Sequence, residues 1–394
     1  MNIYFTQLLK IITIWLFFTS FFLFSHILYL FWIDQEITLL WIWWFEWIKS
    51  IFIVFFWILF FIYSLLFSHK LNENQLIWIL LIFTWIIISS LLSIWTWDFM
   101  LWLSEKYQWW LYYLSLLSFF TAIFIWFKQK NFYNILNIIF IFFSILWIYA
   151  IIQKLWLDPL SQMYQTRVSL SRVFSTLGNA NYLAWLSLIL LPLTLLLKNK
   201  YLKYWLFIFT LIILILTGSY FWIALSLVYF LYHVYKYNKK IFLSFFIILC
   251  IIFIYIFNNL WIEKLWSMKA RPYIWKSTIS AILESPKTLL LGYWPDTLQE
   301  VFYKYKVPEL NKYETSTYTA DRSHNIFIDL IYFFWLFWWW VIIYFLLNAI
   351  KIAKCNEIKS SFLLFLLFFS FNIPVTIHFV IIILLLAGIY KKVW

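Results

Sequence analysis

Apolar runs of about 20 residues recur along the chain, and short polar segments separate them. A helix needs about 20 mostly apolar residues to cross the hydrocarbon core of a bilayer. The pattern therefore predicts an all-α polytopic membrane protein, a single integral membrane domain over residues 1–394 with about 12 transmembrane helices. The predicted spans are residues 9–32, 48–67, 76–95, 109–127, 132–152, 179–197, 201–217, 219–235, 241–259, 324–347, 360–372 and 374–390.

Charge indicates the orientation of these spans. With the amino terminus inside, the inner segments hold 15 lysines and two acids, Glu73 and Glu357, whereas the outer segments hold 14 basic and 14 acidic residues. The formal charge of +13 thus lies on the inner face, as the positive-inside rule expects. We predict a multi-pass protein of the cytoplasmic (inner) membrane with both termini cytoplasmic. The excess of basic residues on the inner face indicates contact with anionic lipid. We therefore expect no nucleic-acid partner.

Two outer segments are long, residues 153–178 and residues 260–323. The second is expected to contain two short amphipathic helices, one over residues 271–285 with Pro272 in its first turn, and one over residues 295–306. Apolar residues in both favour helices that lie on the membrane surface. A small packed cap without a role in chemistry is the alternative.

Arginine is scarce and is confined to these outer segments. Only four arginines occur, against 25 lysines. A planar guanidinium binds phosphate or carboxylate through two parallel hydrogen bonds, which an ammonium cannot do. We therefore expect the arginines to serve anion binding, the alternative being ordinary surface residues. They are Arg167, Arg172, Arg271 and Arg322.

His324 lies two residues after Arg322, at the mouth of a predicted span. Either Asp321 or Ser323 is a candidate N-cap for the helix that follows. His324 would then lie in the first helical turn, where the helix dipole disfavours the imidazolium. A neutral imidazole near the membrane surface suits a general base. Asp329 would lie about 140° further around the helix and is not expected to orient His324 directly.

Several familiar chemistries are missing from the sequence, which has no Walker loop, GxSxG elbow, HExxH helix or CxxC pair. Asp34 and Glu36 form the only close carboxylate pair near a span end. They could bind a metal ion, although exposed loop acids are more often solvated. We assign no metal site and no cofactor.

Four stretches carry specific motifs: AIIQKLWLDP at 150–159, RVFSTLGNANYLA at 172–184, RPYIW at 271–275 followed by LGYWPD at 291–296, and SHN at 323–325. In these stretches the chain resembles the O-antigen ligase and O-antigen polymerase family of bacterial membrane glycosyltransferases. The likeness covers residues 130–390, and the large late outer segment is also similar to the family.

The resemblance implies transfer of a glycan from undecaprenyl diphosphate to an acceptor hydroxyl at the outer leaflet, with inversion at the sugar and without nucleotide or metal. The acceptor could be a glycan, a lipid or a protein. By the same resemblance, His324 would be the base that activates the acceptor, and Arg271 would hold the departing diphosphate. Arg172 and Arg322 would assist.

The substrate-binding residues implied by the resemblance further include Arg167, Asn179, Asn181 and Tyr220. Many family members carry an arginine after a Thr-x-Ser at an outer span end. This chain has TGSY at 217–220, so Tyr220 replaces that arginine. Arg167 or Arg172 would then cover its role, or the diphosphate would be held more weakly.

Other function classes stay open from the sequence. A metal-dependent oligosaccharyltransferase would use Asp34 and Glu36. A flippase or transporter of lipid-linked sugars should place charges in the middle of its spans, and the predicted spans are nearly free of them. A structural scaffold would leave the placement of the histidine and the arginines unexplained.

The chain has 4 glycines and 29 tryptophans, whereas average usage gives roughly 28 glycines in this length. Trp185, Trp222 and Trp294 stand where glycine would suit small-residue runs or a turn, and where the resembling family tends to have it. We hypothesise that many of these tryptophans are glycines in the cell, encoded by UGA. The alternative is a protein that is truly rich in tryptophan.

Overall fold

The computed structural model describes residues 58–91, 110–126, 128–155, 157, 172–177, 179–239, 243, 246, 265–293, 297–369 and 376–391. Every regular element within these residues is a helix, as the apolar runs predicted. The predicted span 9–32 and nearly all of 241–259 lie outside the described residues.

Nine long helices overlap the predicted spans in the described part of the chain. Residues 58–66, within a tenth predicted span, are also helical. One stretch, Phe132–Lys154, is long and apolar enough to cross a membrane, and shorter apolar stretches occur in five other helices. The number of crossings therefore stays a prediction. The nine helices are α1 (Glu73–Leu91), α2 (Trp110–Trp126), α3 (Gln129–Lys154), α4 (Ala180–Thr194), α5 (Lys200–Leu216), α6 (Tyr220–Tyr237), α10 (Ile326–Ile352), α11 (Asn356–Phe369) and α12 (Thr376–Tyr390).

Asparagine side chains begin three of these helices. Asn179 accepts a hydrogen bond from the Asn181 amide at 2.8 Å at the start of α4. Asn199 accepts from the Tyr201 amide at 3.0 Å at the start of α5, and Asn325 caps α10 in the same way. Such a cap satisfies amides that the first helical turn leaves without a partner, so these helices begin at fixed residues.

Helix α4 lies at the centre of the main core and packs against α5, α6 and α11. Its side chains from Leu183 to Thr194 are buried. Two hydrogen bonds add to this packing: the Trp147 indole donates to the Ser187 hydroxyl at 3.1 Å, and the Ser361 hydroxyl donates to the Ile189 carbonyl at 2.6 Å. The middle of α4 is thus tied to α3 and α11 by hydrogen bonds as well as by packing.

The long segment that was predicted to lie outside folds into three helices, α7 (Leu265–Ile282), α8 (Pro286–Leu291) and α9 (Leu298–Tyr305). Helix α7 begins six residues before the predicted Arg271, so Pro272 lies inside it. Helix α8 was not predicted. We call residues 265–323 the cap, because α7 and α8 pack against α10.

The apolar faces predicted to lie on the membrane surface are largely used in another way. Ile274, Ile282, Leu298 and Phe302 are buried together in a core that includes Tyr332 and Phe333 of α10. Burial against protein removes them from contact with lipid. The side chains of Ile279, Leu283 and Tyr303 are exposed. The packed-cap alternative describes these buried side chains, and the position of the helices relative to the membrane stays a prediction.

Several long helices expose apolar stripes. On α5 the exposed side chains repeat every three to four residues, which places them on one face. Similar stripes run along α3 and α10, with exposed residues Ile141, Ile145 and Ile148 on the first and Trp340, Tyr344 and Leu347 on the second. The α5 stripe comprises Tyr201, Trp205, Ile208, Ile212 and Ile215. Apolar patches of this extent are characteristic of interaction surfaces.

Candidate functional site

The Arg172 guanidinium is bound to the turn between α5 and α6. Its Nε donates to the Thr217 carbonyl at 2.8 Å, and its Nη2 donates to the Asn181 side-chain oxygen at 2.9 Å and to the Ser219 hydroxyl at 2.6 Å. The Ser219 hydroxyl also donates to Asn181 at 2.9 Å. The start of α4 and the turn between α5 and α6 thus meet at one arginine, which lies 45 positions from Thr217 and 47 from Ser219 in sequence. We call Arg172, Asn181, Thr217 and Ser219 the arginine cluster.

Gly218 allows this close approach. Its φ of +59° lies in the left-handed region that side chains rarely adopt, and a Cβ there would lie 3.4 Å from Cγ of Arg172. The turn therefore combines a backbone shape that favours glycine with an arginine packed over it.

The segment that carries Arg172 is fixed by the last turn of α3. Gln153 accepts hydrogen bonds from the Phe174 amide at 3.2 Å and the Ser175 amide at 2.7 Å. The buried Ser175 hydroxyl donates to the Leu146 carbonyl at 2.7 Å, and Ser175 itself has a φ of +53°. These contacts fix the backbone position from which the Arg172 side chain extends.

The arginine cluster has one free donor edge. Arg172 is half-buried, and its Nη1 makes no hydrogen bond to any described residue. Burial lowers the pKa of the Arg172 guanidinium, with nearby Tyr220 opposing that shift, but an arginine keeps its charge in proteins. A fixed cation with an unused donor can bind an anion at the ends of these helices.

Arg271 has a different environment on α7. It is half-buried, and burial lowers the pKa of its guanidinium. Among the described residues it has no ion pair and no hydrogen-bonding partner. A cation that is partly desolvated without a counter-ion is costly, so such a position suits a bound anion.

Arg322 and His324 lie in the turn that leads into α10. Arg322 is 2% exposed, and its guanidinium carbon lies 4.6 Å from the ring centre of Phe333. His324 is half-buried with a φ of +58°. The N-cap of α10 is Asn325, so the predicted caps Asp321 and Ser323 were wrong, and His324 precedes the first helical turn. Asparagine succeeds as the cap because its oxygen reaches the Phe327 amide at 3.0 Å.

The structure gathers the predicted residues into two groups. Arg172, Asn181 and Tyr220 meet at the N-terminal ends of α4 and α6, and Asn179 serves there as the α4 cap. Arg322 and His324 share the turn before α10. Helix α7, which carries Arg271, packs against α10. Arg167, Asp34 and Glu36 lie outside the described residues. Thr217, Ser219 and Gln153 were missed as site residues, although the Thr-Gly-Ser turn signals the first two.

The described residues contain no group of three or more histidine, cysteine, aspartate or glutamate side chains that could hold a metal ion. The chain matches no protein-family model, no curated protein and no solved structure. The family resemblance therefore depends on the quoted motifs alone.

Proposed function

We propose that this protein transfers a glycan from a lipid diphosphate to an acceptor hydroxyl at the outer face of the cytoplasmic membrane, as an O-antigen ligase or polymerase does. The observation that carries the proposal is the arginine cluster, in which one guanidinium is held by three acceptors and keeps a free edge. The donor is undecaprenyl-diphosphate-linked glycan, and the acceptor is a glycan, a lipid or a protein.

A diphosphate leaving group gains negative charge as the sugar departs. Fixed cationic donors stabilise that charge better than mobile ones, because they need no reorganisation during the reaction. Arg172 is fixed by the turn at 217–219, and Arg271 is half-buried without an acidic partner among the described residues. Both can therefore hold the diphosphate, while Arg322, buried against Phe333, adds positive charge to the turn before α10.

The replacement of the family arginine by Tyr220 fits this assignment. Arg172 reaches the turn that immediately precedes Tyr220, where it contacts Thr217 and Ser219. A guanidinium is therefore supplied to the same turn from the segment before α4. Of the two alternatives, this geometry favours the one in which Arg172 takes the role of the family arginine, and not the one in which the diphosphate is held more weakly.

His324 is the proposed base that takes the proton from the acceptor hydroxyl. It lies next to the buried Arg322 in a turn bound to the start of α10. No step in this scheme requires a metal ion or a nucleotide.

The exposed apolar stripes of α3, α5 and α10 support a multi-pass membrane location. Exposed to water, such surfaces would lead to aggregation, whereas bilayer hydrocarbon accommodates them. With the lysine-rich segments inside, the arginine cluster and the cap lie on the extracytoplasmic side.

The test uses the full chain in proteoliposomes with a lipid-diphosphate-linked glycan and a panel of acceptors. We expect His324→Ala to abolish transfer, and Arg172→Lys and Arg271→Lys to lower its rate by roughly 10²–10³-fold. Lys269→Ala, which removes an exposed cation two residues before Arg271, is the matched control and should transfer normally. Normal transfer by His324→Ala would overturn the base assignment, and loss of transfer with a chelator would favour metal-dependent chemistry.

A further inference from the structure

The turn that carries His324 is attached to α10 by a buried carboxylate. Asp329 is 1% exposed, and its Oδ1 accepts the Ser323 amide at 2.9 Å. The carboxyl group lies in the first turn of α10, so this bond joins the turn directly to the helix.

The backbone of this turn needs such an attachment. His324 has a φ of +58°, which is unfavourable for any residue except glycine and persists only where the surroundings impose it. Ser323, one residue earlier, is fully buried, and its hydroxyl bonds to both backbone groups of Asn325 at 2.9 and 3.1 Å. The amide that Asp329 binds is therefore one point at which the turn is joined to α10.

We infer that Asp329 is a positioning residue, which sets the direction of the His324 side chain through the Ser323 amide. The inference depends on the proposed function for its consequence in catalysis. Asp329 lies within the helix and holds the backbone of the turn, so it acts without contact to the substrate. The sequence had suggested only that Asp329 does not orient the His324 ring directly. The contact with Ser323 gives it an indirect route.

The experiment compares Asp329→Ala and Asp329→Asn in the full chain in proteoliposomes, by amide hydrogen exchange and by steady-state transfer. Asp329→Ala should speed exchange at residues 323–325 at least about 10-fold and lower kcat roughly 10²-fold with little change in donor KM. Asp329→Asn keeps an oxygen acceptor, so it should restore much of the protection and part of kcat.

The matched control is Ser277→Ala. It also removes the acceptor of a buried amide, since the Ser277 hydroxyl accepts from Val307 at 3.1 Å, but it does not touch the turn. It should lose stability and keep kcat. Unchanged exchange at residues 323–325 in Asp329→Ala would overturn the inference, as would faster exchange with wild-type kcat. Should Asp329→Ala not fold, equal kcat in Asp329→Asn and Ser277→Ala would overturn it too. A wild-type protein without transfer would refute the proposed function, while the exchange data would still decide whether Asp329 holds the turn.

Discussion

At the scale of single residues, Gly292 joins the cap to α10. Its φ is +64°, and a Cβ built there would lie 2.7 Å from the Tyr332 carbonyl oxygen, inside any normal contact. The next amide, of Tyr293, donates to the same oxygen at 2.7 Å. Both the backbone shape and the close approach therefore require glycine.

We predict that Gly292→Ala destabilises the folded protein by about 1–3 kcal/mol or more, because the added methyl group must displace helix backbone. Thermal unfolding in detergent measures the effect. Ser280→Ala on the exposed face of α7 is the control and should unfold close to wild type. An unchanged unfolding temperature for Gly292→Ala would show that the cap does not pack on α10 in this way.

Glu284 connects α7 to α9. It accepts hydrogen bonds from Lys304 and from the Tyr293 hydroxyl, both at 2.5 Å. The bond from Lys304, followed by that from Tyr293, lowers the pKa of the Glu284 carboxyl from 4.5 to about 2. Because the folded-state pKa lies below the ordinary value, this stabilisation is present above pH 4.5 and is lost as the pH falls toward about 2.

We predict that Glu284→Gln weakens the loss of stability in that pH range, since the variant has no carboxyl to protonate. Unfolding temperatures measured from pH 5 down to about pH 2 test this. Glu300→Gln is the control. Burial raises the pKa of the Glu300 carboxyl, so its protonation at low pH does not destabilise the folded protein. The Glu300→Gln variant should therefore lose at least as much stability at low pH as the wild type. If the unfolding temperatures of wild type and Glu284→Gln fell equally as the pH was lowered, the prediction would be contradicted.

Trp185 is crowded in a manner that bears on the glycine hypothesis. It is fully buried, and its ring centre lies 3.6 Å from that of His378, closer than the 4.5–7 Å usual for aromatic pairs. On α10, the buried indole nitrogen of Trp339 makes no hydrogen bond to the described residues. A glycine at position 185 would remove the close ring contact, and a glycine at position 339 would remove the unbonded indole nitrogen.

We predict that peptide mass spectrometry of the protein from its native cell shows glycine at position 185. Position 147 is the comparison, because the Trp147 indole there has a proper acceptor in Ser187 and should remain tryptophan. A tryptophan mass at 185, or a UGG codon in the gene, would contradict the hypothesis.

At the scale of helices, apolar runs predicted most boundaries to within a few residues. The span at 201–217 corresponds to Lys200–Leu216, because Asn199 and Gly218 mark its two ends. Helix α8 was missed because its capping box pairs Ser285 with Thr288, where glutamate or glutamine is the usual signal. The contacts of Arg172 could not be predicted, since they join residues brought together only by the packing of α4, α5 and α6.

The attachment of the Arg172 segment to α3 can be tested through Gln153. We predict that Gln153→Ala destabilises the protein by about 1–3 kcal/mol, because the Phe174 and Ser175 amides lose their acceptor. Hydrogen exchange should show lost protection at residues 172–177, with weaker glycan transfer as a consequence. Gln299→Ala, an exposed position in α9, is the control. Retained protection at 172–177 would mean that other contacts hold the segment.

At the scale of the whole molecule, the two groups of candidate residues both belong to segments assigned to one side of the bilayer. The arginine cluster lies at the ends of α4, α5 and α6, and the cap packs on α10. Lysines such as Lys198 and Lys354 lie in the segments predicted to face inward. The confinement of all four arginines to segments assigned to one face suits a site for an anionic substrate there, and it depends on the topology.

Topology can be measured by cysteine labelling in a variant with Cys250→Ser and Cys355→Ser. We predict that Lys269→Cys in the cap reacts with a membrane-impermeant maleimide in intact spheroplasts, whereas Lys200→Cys reacts only after permeabilisation. Both lysines are exposed in the structure, so a difference in labelling reports the side of the membrane and not burial. If both cysteines reacted before permeabilisation, the cap and the start of α5 could not lie on opposite faces, and the predicted topology would have to be abandoned.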